Sequence, residues 1–408
     1  MSNMKKIIIL LIIFSITNSV LAQNSTKKYI DIESTTIIEG LMYNMEKDIN
    51  SYSDLLSYYH NDTLFFLRAD FATPETLRMY SFAVKTKTYS YQDFDVTKLI
   101  NNFDGRACNI DFFAINENYL VIPSHKGEIN TQFLCIFKRV GKEFIYDFEI
   151  PLGNNMFSKD IRFLPNGKLL GLKNYIFYRE KPEESSSLSI LNLETKEVEK
   201  TINLEFLLPL YTLRGGYNIL SVNYNSILFS QRGDYKIAEY DFDLNPLGII
   251  ENKEIKWDRM PQDASDSVLN TTTYVGERFP YINNNFDRYS CVHNIYSSND
   301  KLFVFYSKKG NHNKIYYDIW KKQNGEWTIF KKDISDNTKS IRKVYKQTIT
   351  KIEFGRNVHF LGDKFLRLGI ILPDFGAYPN LIYMMKAQKY ISNNDIPYGV
   401  QLINFKGL

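Results

Sequence analysis

The feature that most constrains this chain is a tight turn that recurs six times between apolar runs. LLSYYHNDTLFFL turns at Asn61-Asp62, IDFFAINENYLVI at Glu117 and IRFLPNGKLLGL at Asn166. ILSVNYNSILFS turns at Asn225, VHNIYSSNDKLFVFY at Asn299-Asp300 and NVHFLGDKFLRLGII at Gly362-Asp363. Counted from Asn61, the successive spacings are 56, 49, 59, 74 and 63 residues. Asn, Asp and Gly dominate such turns because they adopt left-handed backbone angles at little steric cost. Strand–turn–strand units repeating at this period predict a chain of small sheets.

The Asp160–Leu204 stretch shows a whole unit. Ile161–Leu164 reads as an inner strand, and Pro165-Asn166-Gly167 turns into Leu169–Leu172, extending through Ile176–Tyr178. Leu188–Leu193 and Val198–Leu204 complete it across Glu194-Thr195-Lys196. Outer hairpins of the same kind are Leu77–Val84 with Thr88–Phe94, Phe133–Lys138 with Phe144–Ile150, Ile237–Phe242 with Leu247–Glu251, and Ile315–Lys321 with Trp327–Lys332. The last unit is the least regular, since Asn380–Lys389 has no clear period. Tyr and Phe, at 29 each, favour strands over helices. The expected fold is therefore all-β: a single six-bladed β-propeller of four-stranded antiparallel blades spanning 23–408. Such a ring must be tied shut or it keeps an unpaired edge. Tyr29–Ile32, Ile37–Met42 and Val400–Phe405 are the candidate closing strands, with their pairing left open.

Residues 1–22 read as a signal peptide. Lys5-Lys6 forms a positive n-region, Ile7–Ile16 is a short apolar core, and Val20-Leu21-Ala22 places small residues at −3 and −1. Cleavage before Gln23 is expected, giving an exported protein, periplasmic or extracellular, with no membrane span after cleavage. The formal charge of +4 loses Lys5 and Lys6 on processing. The near-balance that remains excludes a nucleic-acid or anionic-membrane binder as the first reading. Three cysteines, Cys108, Cys135 and Cys291, include no CxxC pair, so zinc is not indicated. Cys108 and Cys135 fall in one blade and could be bridged in an oxidising compartment; three buried thiols packing as small hydrophobes are the favoured alternative.

The six units, the export signal and phrases such as FLPNGKLLGL resemble the exported six-bladed β-propeller proteins of Gram-negative bacteria. That superfamily includes ligand and protein binders and calcium-dependent lactonases. The resemblance carries no catalytic residues, because the chain has no tyrosine-tryptophan-threonine-aspartate repeat and no Ser-x-Asp-x-Gly-x-Thr-Trp box.

His60, His293 and His359 fall on or beside inner strands, which line the channel of a propeller, and structural hydrogen bonding is their favoured role. Arg106, Arg214 and Arg288 each stand eleven residues ahead of their blade's turn, in the segment leading into an inner strand. The third blade has Lys159 and Arg162 near that point, and the sixth has Lys351 and Arg356. Guanidinium groups gathered at a channel mouth suit carboxylates, sulfates or phosphates. Neighbouring Asp104, Asp160, Asp287 and Glu353 would instead brace the loops by pairing with them. The widest spacing contains Ile255–Asp287, where Trp257, Tyr274, Arg278 and Tyr281 interleave aromatic and basic groups. Long insertions of this kind tend to be functional.

The residues favour a non-catalytic binding module for a protein partner or an anionic small-molecule or carbohydrate ligand. Its site is expected at one channel mouth and to involve Arg106, Arg214, Arg288, Trp257, Tyr274, Arg278 and Tyr281. No cofactor is expected. The alternative is a hydrolase or lactonase using a channel metal, Ca²⁺ or Zn²⁺.

Overall fold

The computed structural model describes residues 30–43, 56–68, 76–95, 112–125, 131–154, 160–173, 187–204, 219–230, 233–259, 261, 289–309, 316–335, 340–344, 347–350, 358–370 and 396–405. Twenty-six strands and no helix occur among them. β1 (Ile30–Tyr43) comes first in the chain and is used last in the ring. Blade 1 is β2 (Leu56–His60), β3 (Thr63–Arg68), β4 (Thr76–Ala83) and β5 (Thr88–Asp95). Blade 2 is β6 (Ala114–Ile115), β7 (Tyr119–His125), β8 (Thr131–Val140) and β9 (Glu143–Asn154). Blade 3 is β10 (Asp160–Phe163), β11 (Leu169–Lys173), β12 (Ser187–Asn192) and β13 (Glu197–Asn203). Blade 4 is β14 (Leu220–Val222), β15 (Ile227–Ser230), β16 (Lys236–Tyr240) and β17 (Pro246–Glu251). Blade 5 is β18 (Cys291–Ser298), β19 (Lys301–Ser307), β20 (Tyr316–Gln323) and β21 (Glu326–Ser335). A separate hairpin, β22 (Ser340–Val344) with β23 (Gln347–Thr350), was not foreseen from the sequence. Blade 6 takes β24 (Val358–Phe360), β25 (Lys364–Ile370) and β26 (Ile396–Phe405), and β1 is its outermost strand.

All six turns join the first and second strands of a blade. Their chemistry is local. Asn61 and Asp62 both have positive φ, 46° and 57°, as a two-residue hairpin with inverted twist requires. Gly362 takes φ 104°, a conformation that side chains resist. In blades 2 and 4 an Asn side chain shapes the turn. Asn116 Oδ1 accepts from the Asn118 and Tyr119 amides at 2.8 and 2.7 Å, and Asn223 Oδ1 accepts from Asn225 and Ser226 at 2.8 and 2.7 Å.

Successive side chains point to opposite faces of a strand, and both faces of each blade are covered. On β3, Phe65 and Leu67 pack toward blade 2, while Leu64 and Phe66 pack toward blade 6. On β19, Phe303 and Phe305 join the blade 6 cluster, while Leu302, Val304 and Tyr306 join that of blade 4. These strands therefore read as continuous apolar runs, as strands buried on both faces do.

Ring closure uses all three candidate segments. β1 pairs antiparallel with β26, from Ile30 opposite Phe405 to Tyr43 opposite Ile396, with bulges at Ile32/Ser34 and Ile37/Met42. Blade 6 looks irregular in sequence because one of its four strands comes from the other end of the chain.

The contact between blades 4 and 5 also carries two buried carboxylates. Asp318, fully buried, accepts from Tyr235 Oη at 2.7 Å and Asn252 Nδ2 at 2.9 Å through Oδ2. Its Oδ1 accepts from Tyr306 Oη at 3.0 Å and the Asp333 amide at 2.6 Å. Glu239 accepts from Ser226 Oγ at 2.6 Å, Lys322 Nζ at 2.7 Å and Trp327 Nε1 at 3.0 Å. Cys135 and Cys291 are buried, as expected of cysteines that pack as small hydrophobes, and Cys108, with the candidate Cys108–Cys135 bridge, lies outside the described residues.

Candidate functional site in the central channel

The inner strands place polar residues on the channel by alternation. On β2, Leu56 and Tyr58 turn into the apolar core shared with blade 2, while Ser57 and Tyr59 turn toward blade 6, Ser57 to His359 and Tyr59 against the core packed there. On β10, Ile161 and Phe163 are buried in that same cluster, so Asp160 and Arg162 face the channel. On β24, Val358 and Phe360 join the core with blade 5 and leave His359 on the channel side.

Arg162 is the centre of the arrangement. Its Nη2 and Nε donate to Asp160 Oδ2 at 3.1 and 3.3 Å, and each side chain keeps 21% of its surface open. The guanidinium lies 5.6 Å from the centre of the Tyr58 ring, and the Tyr58 hydroxyl accepts from the Phe163 amide at 3.0 Å. Burial disfavours the Arg162 cation, but Asp160, Tyr58 and Tyr296 more than offset this, and its pKa lies above the ordinary arginine value. Burial pushes the Tyr58 phenol up.

His359 belongs to blade 6, diametrically across the ring from blade 3. Its Nε2 lies 2.8 Å from Ser57 Oγ. Burial, reinforced by the Arg162 charge, pushes its pKa down to about 3. The imidazole is therefore neutral at ordinary pH, when it can both donate and accept. Ser221 and Ser297 are joined at 2.9 Å between the inner strands of blades 4 and 5. At the turn side, His60 Nε2 meets Glu117 Oε2 at 2.9 Å.

A histidine neutral in the native protein and protonated in the unfolded chain makes stability fall with acid. Between about pH 6.5 and the native pKa the unfolded state binds one more proton, so unfolding free energy should drop by about 1.4 kcal/mol per pH unit from this residue. Urea unfolding at pH 7 and pH 5 should show the loss in the wild type. In His359→Gln it should be smaller by about 2 kcal/mol. Equal losses in both proteins would mean that His359 titrates normally.

His60 and His359 lie on inner strands as expected, and so does His293, whose Nε2 contacts Ser307 Oγ at 2.9 Å. Trp257 is half-buried beside blades 4 and 5. Its indole N–H donates to the Gly233 carbonyl at 2.9 Å, and its ring packs on Tyr235 and Tyr306 at 5.6 and 6.0 Å. Arg106, Arg214, Arg288, Tyr274, Arg278 and Tyr281 lie outside the described residues. Of the basic positions picked out by spacing, Arg162 is the one whose side chain is described, and it both pairs with its neighbouring acid and faces the channel. Among the described residues no group of three or more His, Cys, Asp or Glu side chains converges to hold a metal. Ser57, Tyr59 and His359 could have been found by counting back from the turns and alternating faces.

The fold and channel define a six-bladed β-propeller with a polar lining. No family model matches the sequence, and no curated protein matches it. Solved structures do. A member of the duf4221 family from Bacteroides vulgatus is 9% identical, with 92% of this chain and 98% of that one covered and a TM-score of 0.47. A luciferin-regenerating enzyme is 11% identical over 93% and 95%, with a TM-score of 0.40. An uncharacterized protein from Listeria monocytogenes is 9% identical over 83% and 77%, with a TM-score of 0.38. Likeness at this level carries no reading of activity.

Proposed function

We propose that this chain is an exported, non-catalytic binding propeller whose channel takes an anionic ligand at Arg162. The observation that carries the reading is a guanidinium paired with Asp160, reaching from blade 3 to the Tyr58 ring of blade 1 and 21% open to solvent. Asp160 fixes the fork in place, so little further order is needed when a carboxylate arrives. The aromatic ring of Tyr58 and the neutral His359 lower the local polarity, which strengthens a charge-assisted hydrogen bond. Arg106, Arg214 and Arg288, each in a segment leading into an inner strand, would draw anions toward the same channel. Export rests on the n-region, apolar core and Ala22 cleavage signal.

The test is calorimetric titration of simple carboxylates and acidic sugars. Losing one charge-assisted hydrogen bond costs about 1.5–3 kcal/mol, so Arg162→Ala should bind roughly ten- to hundredfold more weakly. Arg162→Lys keeps the charge without the fork and should fall between. Wild-type affinity in a folded Arg162→Ala protein would refute the site. Separately, the exported protein should have an intact mass beginning at Gln23, and retention of Met1–Ala22 would contradict export by this signal.

A further inference from the structure

The outer rim of the ring carries a feature that the channel does not use. β17 is the outermost strand of blade 4, and among the described strands it pairs with β16 alone. Its far edge is therefore open to another strand, and proteins guard such edges with charge. The outer strands of the other five blades do so, with Glu33 on β1, Asp93 on β5, Asp147 on β9, Glu199 on β13 and Lys332 on β21. From Pro246 to Ile250, β17 has no charged residue. Leu247 and Ile249 are 54% and 65% exposed, one on each side of Gly248. A Cβ placed on Gly248 would meet no atom within 4 Å. A glycine inside a strand marks a place where another backbone can come close.

We propose that β17 pairs antiparallel with β17 of a second copy, so that two propellers share one continuous sheet across a twofold axis. A second copy fits because the strand complements itself. With the axis at Gly248, Leu247 falls opposite the partner's Ile249, which closes an apolar seam on both sides of the glycine pair. The same register, continued past the strand ends, sets Lys253 opposite the partner's Asp243 and Glu251 opposite the neutral Asn245 of the partner subunit. Asp243, Asn245, Glu251 and Lys253 are all exposed. Two pairs of opposite charge thus flank the seam, and no like charges are set against one another. The pairing is independent of the anion site, because the inner strand of blade 4 is β14 and β17 lies at the rim.

Sedimentation velocity of the full mature chain tests the pairing. The wild-type mass should rise from one chain toward two as concentration is raised. Gly248→Asp sets two carboxylates directly opposite each other, and Ile249→Lys puts a charge into the apolar seam. Both should keep the mass of one chain over the same range. Neither should disturb the fold, since the space above Gly248 is open and Ile249 is exposed, so both should melt where dilute wild type melts. A charge exchange tests the register. Asp243→Lys or Lys253→Asp alone should weaken association about three- to tenfold, and the two together should restore it. A wild-type mass of one chain at every concentration would overturn the dimer and leave the edge to a strand of some other protein. Association unchanged in both Gly248→Asp and Ile249→Lys would show that the copies meet elsewhere, which also overturns it. A double exchange that fails to recover what the single changes lose would reject the Gly248-centred register.

Discussion

A chain truncated to remove Val400–Leu408 should lose its cooperative melting transition altogether. The deleted stretch is most of β26, which lies between β25 and β1 and, among the described residues, pairs β1 with the rest of blade 6. Val400, Leu402, Ile403 and Phe405 are all buried. At about 1.5–3 kcal/mol each, their loss removes about 6–12 kcal/mol. That is comparable to the about 5–15 kcal/mol by which a whole domain is stable. Two further effects act in the same direction. β25 becomes an open edge, and Ile38 and Leu41 of β1 lose the strand that holds them in the core shared with blade 1. Scanning calorimetry of the truncated and full chains makes the comparison. An unchanged melting temperature would show that the ring closes without β26.

Asp318→Ala should destabilise the protein by about 3–5 kcal/mol, because it leaves several buried hydrogen-bond donors without an acceptor. The carboxylate gathers the Tyr235 and Tyr306 hydroxyls, the Asn252 amide and the Asp333 backbone N–H at the contact of blades 4 and 5. Burial, reinforced by Asp318, raises the pKa values of both Tyr235 and Tyr306, so the phenols stay protonated as donors. Alanine leaves the Tyr235 hydroxyl, the Asn252 amide and the Asp333 N–H without this acceptor, at about 1–3 kcal/mol for each group left unsatisfied, while the Tyr306 hydroxyl keeps Asp333 Oδ1 at 3.0 Å. Asp318→Asn keeps one carbonyl acceptor and should lose roughly half as much. Urea unfolding gives the values, and a loss below about 1 kcal/mol for alanine would mean that water reaches the site. The same network shows why Trp257 is hard to interpret from sequence. An aromatic in a long polar insertion suggests a ligand, yet its indole closes over Tyr235 and Tyr306.

The blades were legible because their turns are written locally. Asn61-Asp62, Gly167, Asn299 and Gly362 sit where positive φ is needed, and few residues accept it. Closure was legible only as unpaired segments. Thr35 meets Gln401 across 366 residues, and no local pattern encodes that partnership. The site was half legible for a related reason. The eleven-residue offset picks out Arg106, Arg214 and Arg288 and passes over Arg162, which stands four residues ahead of its turn, and the identity of the side chains around Arg162 depends on the register of strands from other blades, where one residue of slip turns a side chain away. Ser57 and His359 meet across neighbouring blades, and Arg162 of blade 3 comes over the Tyr58 ring of blade 1. Such pairs become visible only when the ring is assembled.

A crystal of the mature protein soaked in a uronic acid tests the central claim most directly. The account predicts density for the ligand inside the ring, with its carboxylate within hydrogen-bonding distance of the Arg162 guanidinium. Ligand density elsewhere on the protein, with the Arg162 guanidinium contacting only protein and solvent, would contradict it.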